Sequence, residues 1–202
     1  MTLSHTTTVR PALPAVLLVP LLVTAPAADA ASGIIARFGV DAGGEELQAV
    51  QFTDGERDGI EAGAGVHLVV GGRLAVGDSG LESDLTVGYK FDSVDADNGE
   101  IAFSRVTLDA LQFLRLGGRF RVGGGLTYEL SPTVDVEGPN GFGGRIDDST
   151  EADGAFGYVV AADYLVGRSV ELGLRATFIE YDFERASSID GDSVGGYLTY
   201  RF

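Results

Sequence analysis

The chain of 202 residues contains no cysteine and no tryptophan, and it has only 14 Lys and Arg against 30 Asp and Glu. Without cysteine the protein carries neither a disulfide nor a thiolate metal site, and it is not a lipoprotein. The formal net charge of -16 excludes nucleic acid as the expected partner, because like charges repel. Beyond residue 30 the chain lacks any stretch apolar enough for a transmembrane helix and any sustained 3.6-residue periodicity.

The first thirty residues have the composition of a secretory signal peptide. An Arg precedes an apolar run of about fifteen residues, and Ala28-Asp29-Ala30 has the small-x-small pattern of a signal-peptidase site. That run is shorter than the roughly 20 residues that span a bilayer as a helix. We therefore expect residues 1–30 to be cleaved and residues 31–202 to form one exported domain.

Apolar and polar residues alternate with period two from residue 33 to the C-terminus, which indicates an all-β chain. In the second run this alternation predicts Ile60 and Ala62 on the apolar face. The fourth run fits worst, because Gln112 falls on its apolar face while Leu111 and Phe113 fall on the other. The eight predicted strands span residues 33–42, 59–76, 81–92, 101–116, 119–132, 154–166, 170–181 and 193–202.

A soluble barrel with an apolar interior would give the same alternation, so three further observations identify the face that meets lipid. The polar face is rich in glycine, which the crowded lumen of a small barrel needs. Short linkers alternate with long ones, as periplasmic turns and extracellular loops do in membrane barrels. Aromatic residues also fall at two heights, Phe120, Tyr164, Tyr200 and Phe202 at the turn end and Tyr89, Phe91, Tyr128, Phe156 and Phe178 at the loop end. Together these features predict an eight-stranded antiparallel up-and-down transmembrane β-barrel over residues 31–202.

The last ten residues, SVGGYLTYRF, end on an aromatic residue with apolar residues at alternate positions before it. This ending resembles the C-terminal signature of outer-membrane proteins, and the mature chain resembles the small eight-stranded barrels typified by the OmpA transmembrane domain and the OmpX/Ail group. The resemblance implies an integral protein of the Gram-negative outer membrane, surrounded by its lipid and lipopolysaccharide. It also implies an assembly signal at Phe202, Tyr200 and Leu198 that the barrel-assembly machinery reads. We expect a monomer without a wall-binding domain.

Charged residues on the polar face define the predicted lumen. Seven cations and eight anions are near balance, which predicts a plug of paired charges because lone charges are costly away from water. The alternative is a narrow diffusion channel, which would favour one sign of charge. With His67, the predicted lumen residues are Arg37, Asp41, Glu61, Arg73, Glu82, Asp84, Lys90, Arg105, Asp109, Arg121, Glu129, Asp163, Glu171, Arg175 and Arg201.

A lipid-A-modifying enzyme is the third candidate function. Such barrels use His together with Ser and an acidic residue. His67 is the only His after the signal peptide, and neither a Ser nor a carboxylate lies near it with motif-like spacing. The sequence therefore predicts no enzymatic activity, no catalytic residue and no cofactor.

Acidic residues concentrate in the four long linkers, residues 43–58, 92–100, 134–153 and 182–192, which hold nineteen Asp or Glu and three Arg. Such loops suit a structural or surface-interaction role, and a divalent cation can bridge clustered carboxylates. The candidate cation ligands are Asp147, Asp148, Glu151, Asp153, Asp190 and Asp192. The segment TDGE at 53–56 suits a hairpin tip, so the first loop is expected to be a two-stranded extension.

Overall fold

The structure is a computed structural model that describes residues 33–51, 57–77, 79–96, 99–139, 145–182 and 188–202. The predicted signal peptide, residues 1–30, and the predicted hairpin tip at 53–56 lie outside the described residues. Within the described ranges no helix is long and apolar enough to cross a membrane. The strands are β1 (Gly33–Ala42), β2 (Glu46–Gln51), β3 (Arg57–Glu61), β4 (Gly65–Val76), β5 (Leu81–Ala96), β6 (Gly99–Leu116), β7 (Phe120–Pro139), β8 (Arg145–Glu151), β9 (Ala155–Leu165), β10 (Val170–Tyr181), β11 (Ile189–Asp190) and β12 (Ser193–Arg201).

Eight of these strands form a closed antiparallel barrel, in the order β1, β4, β5, β6, β7, β9, β10 and β12. The barrel closes where β1 pairs with β12, with Ile35 opposite Arg201 and Ala42 opposite Val194. Closure gives every barrel strand a partner on both sides, which is the condition for a sheet to span a bilayer. The predicted all-β class and eight-stranded topology are confirmed.

The distribution of side chains is the inverse of that in a soluble protein, with apolar side chains outside and charged ones inside. Leu174 on the outer surface is 69% exposed, whereas Arg73 and Asp84 inside are 1% and 0% exposed. Aromatic pairs stand on the outer face at both ends of the lipid-facing region, including Phe120 with Tyr164, whose ring centroids are 4.8 Å apart. An apolar outside around a charged inside is stable in lipid and not in water, so the barrel is a transmembrane one.

Strands β5, β6 and β7 continue beyond the lengths that the alternation predicts. The upper part of β7 pairs with β8 on one side and with β6 on the other, which gives a raised outer sheet of β5 to β8. A β-bulge interrupts the ladder between Ser104 and Val106 of β6, opposite Ser131, whose φ is 45°. The extra residue in β7 reverses which of its side chains point inward, so the alternation of the lower strand does not continue into the raised part.

The predicted faces are wrong at the start of the second run. Ile60 and Ala62 were placed on the lipid face, but both are 0% exposed in an apolar cluster at the outer mouth. Glu61 was placed in the lumen, but it is exposed and its Oε2 accepts a hydrogen bond of 3.0 Å from the Gly43 backbone N–H. The predicted run is two strands and not one, since the chain breaks at residues 62–64 between β3 and β4. Strand β3 lies over the outer mouth, whereas β4 crosses the membrane, so the faces of β4 do not extend into β3.

The misfit of the fourth run has a simple structural basis. Leu111 and Phe113 point inward and are buried, while Gln112 lies on the outer face. Its amide is satisfied locally, because Ser83 donates a hydrogen bond of 2.8 Å to its Oε1 and its Nε2 donates one of 2.9 Å to the Glu82 carbonyl. The lumen thus contains apolar side chains as well as charges.

Candidate functional site

The interior near the short turns is filled by an ion-pair network centred on Asp84. Arg73 forms a bidentate pair with Asp84, with distances of 2.7 Å from Nε and 3.0 Å from Nη2, and its Nη1 lies 2.7 Å from Glu171. Arg121 reaches the same Asp84 at 3.0 Å, and Arg37 reaches it at 3.3 Å. One fully buried carboxylate therefore contacts three guanidinium groups.

The other contacts of this network keep its charges balanced. Arg121 lies 2.5 Å from Asp163 and 3.2 Å from Glu171, with its guanidinium 3.9 Å above the ring of Phe113. Glu82 pairs with Arg121 and also with Arg115, which lies at the edge of the network. Four Arg thus face four carboxylates, Glu82, Asp84, Asp163 and Glu171. Such pairing is what makes burial of so many charges tolerable.

A second group of charges lies nearer the outer mouth. Asp41 Oδ2 is 2.8 Å from Lys90 Nζ and 3.2 Å from His67 Nδ1. Glycines make room for these groups, because a Cβ at Gly39 would collide with the His67 ring and one at Gly195 would collide with the Asp41 carboxylate. The glycine-rich polar face reflects a crowded lumen, as the composition predicts.

Two further pairs complete the charged interior. Arg105 Nε lies 3.0 Å from Glu129 Oε2, to which Tyr181 also donates a hydrogen bond of 2.5 Å. Arg175 Nη1 lies 3.4 Å from Asp109. With Lys90 and Asp41, three cations again face three anions, so both levels of the lumen are near neutrality.

An apolar cluster, here called the mouth cluster, covers the charged interior at its outer end. Phe103 and Tyr181 meet edge to face at its centre, with ring centroids 5.9 Å apart. Leu47 of β2 and Ile60 of β3 pack into it from above. Its buried members are Ile60, Ala62, Ile101, Phe103, Ala155, Ile179 and Tyr181. The members of the mouth cluster come from several strands, β3, β6, β9 and β10. Alternation within one strand therefore does not predict the cluster.

The structure brings most of the predicted lumen residues together. Thirteen are buried, namely Arg37, Asp41, His67, Arg73, Glu82, Asp84, Lys90, Arg105, Asp109, Arg121, Glu129, Asp163 and Glu171. Arg175 is partly buried, and Arg201 lies at a turn where its Nη2 donates a hydrogen bond to the Arg168 carbonyl. Glu61 lies outside. Arg115, Tyr181 and Tyr197 also take part and are not among the predicted lumen residues, although each falls on the inward face of its strand. The Tyr197 hydroxyl donates a hydrogen bond to the Asp163 carboxylate.

The predicted cation ligands lie on the outer strands and loops. Asp147, Asp148 and Glu151 are exposed on β8, while Asp190 and Asp192 accept local hydrogen bonds. Partial burial and the nearby Asp190 and Glu180 raise the pKa of Asp192. Among the described residues, no three or more His, Asp or Glu side chains are grouped so as to hold a metal ion. Divalent-cation binding therefore stays a prediction.

The predicted assembly signal is accessible. Leu198, Tyr200 and Phe202 all point outward, and Phe202 is 74% exposed. The rings of Tyr200 and Phe202 are 4.8 Å apart, and the Phe202 backbone N–H donates a hydrogen bond of 3.0 Å to the Ile34 carbonyl. The terminal side chain is thus presented at the junction of the first and last strands.

Solved structures of other outer-membrane proteins share this architecture. The chain is similar to Ail, the attachment invasion locus protein of Yersinia pestis, in its crystal structure in complex with the heparin analogue sucrose octasulfate. The TM-score is 0.50 at 11% identity, and the match covers 85% of this chain and 97% of Ail. The fold is that of the small eight-stranded outer-membrane barrels. The barrel also matches Neisserial surface protein A (NspA), with a TM-score of 0.47, 11% identity and the same coverages. No family model matches the barrel, and no curated protein sequence does.

Proposed function

We propose that this outer-membrane barrel is non-conducting and serves to present acidic strands at the cell surface. The observation that carries the first part is the double closure of the lumen. The Asp84 network fills the interior near the short turns, and the mouth cluster covers the opposite end. An ion would have to displace paired charges and then cross an apolar layer, which is the kind of constriction that excludes water and ions.

Conductance of the refolded protein in a planar bilayer tests this closure. We expect no single-channel steps from the unaltered chain, because an ion would have to separate paired charges at both levels of the lumen. Reproducible steps, with an ion preference that changes when Arg73 or Lys90 is substituted, would instead support the narrow diffusion channel.

The second part of the proposal rests on the outer surface. In the raised sheet of β5 to β8, Glu100 lies opposite Glu137, and Glu137 lies opposite Asp147. Beside the sheet, a crevice of about 320 Å³ at the outer ends of β9 and β10 is lined by Asp153, Glu180 and Asp182, together with Gly154, Ala155 and Phe156. Carboxylates held on β-strands or directly at their ends are positioned before binding and favour a partner of opposite charge.

The charge of this surface predicts a cationic partner, such as a basic segment of another protein. The similar Ail structure holds a sulfated sugar analogue, but a polyanion would be repelled by the acidic strands described here. The two barrels thus share a fold, and the acidic strands of this one favour a cationic ligand.

Binding of a Lys-rich peptide to the barrel in neutral lipid vesicles tests this role. We expect binding that weakens as salt rises and that falls at least fivefold in the crevice variant Asp153→Asn/Glu180→Gln/Asp182→Asn. The comparison variant, Asp147→Asn/Asp148→Asn/Glu151→Gln, removes the same charge from β8 and measures what the raised sheet contributes. Equal loss in both variants would mean attraction to overall charge, and absence of binding to the unaltered barrel would refute the cationic partner.

The surroundings of His67 do not support the lipid-modifying enzyme. The imidazole is buried in the lumen, with Asp41 as its hydrogen-bond partner and the backbone of Gly39 against its ring. A lipid acyl chain would have to replace the paired charges around it. We therefore assign His67 a structural role within the plug.

A further inference from the structure

Three arginines give the short-turn end of the barrel a charge opposite to that of its outer end. Arg119 lies in the turn between β6 and β7, Arg168 lies in the turn between β9 and β10, and Arg201 ends β12. Arg119 and Arg168 are exposed, and Arg201 is half-buried. In the described part of the chain none of the three pairs with Asp or Glu, and their side-chain hydrogen bonds go to a tyrosine hydroxyl and to a backbone carbonyl. Against them the short turns hold one acidic residue in the sequence, Asp78 between β4 and β5.

The three arginines, here called the basic arc, lie on one continuous part of the rim. Strands β7, β9, β10 and β12 are successive neighbours in the barrel. Their ends are bonded to one another, because Leu165 N–H donates to the Arg119 carbonyl and Arg201 N–H donates to the Ser169 carbonyl, both at 2.8 Å. Arg201 Nη2 also donates a hydrogen bond of 3.0 Å to the Arg168 carbonyl. These bonds fix the backbone of the basic arc before any ligand binds.

Two aromatic pairs define the depth of the basic arc in the membrane. The rings of Phe120 and Tyr164 are 4.8 Å apart, and so are those of Tyr200 and Phe202. All four side chains are exposed on the outer face, and aromatic belts of this kind lie at the level of the lipid headgroups. Arg119 Nη1 donates a hydrogen bond of 3.3 Å to the Tyr164 hydroxyl. The guanidinium of Arg119 therefore lies on the lipid side of the rim, at headgroup level.

We propose that the basic arc binds the phosphate groups of anionic phospholipids in the periplasmic leaflet of the membrane. The short turns of a barrel of this kind face the periplasm, so the phospholipids of that leaflet surround the arc. Guanidinium groups bind phosphate oxygens through several N–H donors as well as by charge. A headgroup with net negative charge, such as phosphatidylglycerol, is favoured over a zwitterionic one because each cation near the membrane surface attracts it.

Tryptophan fluorescence measures this preference at a chosen depth, because the chain has no native tryptophan. Val122→Trp reports the lipid beside the basic arc, and Leu126→Trp reports the lipid nearer the acidic end. Both positions are on the outer face of β7, where the native side chains are 41% and 39% exposed. Lipids with brominated acyl chains quench a tryptophan that they contact, so quenching by phosphatidylglycerol and by phosphatidylcholine gives their relative binding constant. For the barrel refolded into vesicles, we expect phosphatidylglycerol to be preferred about threefold at position 122, less so as salt rises, and not at position 126.

Neutralising two cations of the basic arc tests its role directly. Arg119→Gln/Arg168→Gln should abolish the preference at position 122 and leave position 126 unchanged. The matched control, Arg119→Lys/Arg168→Lys, keeps both charges and should keep the preference. Both side chains are exposed at turns, so we expect both variants to fold, and a change of gel migration on boiling checks this.

The two reporters separate a local lipid site from general attraction. Absence of a preference at position 122 in the unaltered barrel would overturn the site, and so would an unchanged preference in Arg119→Gln/Arg168→Gln. Equal loss in the Lys variant would also overturn it, because the substitutions would then act through the turns and not through charge. An equal preference at positions 122 and 126 would indicate attraction unrelated to the basic arc. The result is independent of the proposed function, since the acidic strands lie at the opposite end of the barrel.

Discussion

Adjacent glycines in β12 provide a test of the interior at the scale of single residues. Gly195 faces inward, where a Cβ would collide with the Asp41 carboxylate, whereas Gly196 faces lipid, with its nearest contact at 3.9 Å. We expect Gly195→Ala to destabilise the barrel by about 1–3 kcal/mol through overpacking and Gly196→Ala to be neutral within about 0.5 kcal/mol. Urea unfolding in lipid vesicles measures both, and a larger cost at Gly196 would show that the faces are reversed.

Removing one cation from the Asp84 network should be far more costly than removing one from the surface. Arg73→Met leaves buried carboxylates without their shortest contacts, and we expect a loss of about 3–5 kcal/mol in the free energy of unfolding. Arg201→Met, at a turn, should cost below about 1 kcal/mol. Equal costs for the two variants in the same unfolding measurement would mean that the interior is hydrated enough to screen these charges.

At the scale of elements, β10 presents lipid on one face and the lumen on the other. Leu174→Arg, in the middle of the outer face, should cost about 2–4 kcal/mol of barrel stability because it places a charge in hydrocarbon. Thr177→Ser on the inner face keeps a hydroxyl and should be mild. Unfolding in vesicles of defined thickness compares them, and equal tolerance of both changes would contradict the assigned faces.

The last strand is expected to carry an assembly signal in addition to its packing role. Deleting Phe202 removes a side chain whose full burial would contribute only about 1.5–3 kcal/mol, yet it should strongly reduce the amount of folded barrel in the outer membrane. The measurement pairs assembly in cells with refolding of the purified chain. Loss in cells with normal refolding in vitro supports a recognition signal, and equal loss in both assigns Phe202 to ordinary stability.

Several strand features could be predicted from the sequence because they follow from period two within one strand. The bounds of β1 and β10 are as predicted, and the inward Arg, Asp and Glu side chains meet inside the barrel. The predictions of inward and outward faces fail where the backbone changes which side chains of a strand point inward. Alternation continues through residues 59–76 in the sequence, but the chain turns at 62–64. The bulge at Ser131 exchanges the inward and outward faces of β7. Neither event leaves a mark in hydropathy, and the mouth cluster depends on both.

At the scale of the whole molecule, every strand of the barrel has a partner on both sides, so the backbone can be hydrogen-bonded between strands around the whole circumference. We therefore expect the folded protein to resist detergent and to migrate differently on gels before and after boiling. An identical position in heated and unheated samples of vesicle-refolded protein would contradict a closed barrel. Leu174→Arg should lower the temperature at which the two bands interconvert.

The pairing of β1 with β12 joins the first and last strands of the barrel, and this has a consequence for the order of events in the cell. No partial chain can close, because the partner of Ile35 is Arg201. Contacts of such long sequence separation form slowly and leave apolar strands exposed in the meantime. We therefore expect the polypeptide to cross the periplasm without a closed barrel, because closure waits until the final strand reaches the first.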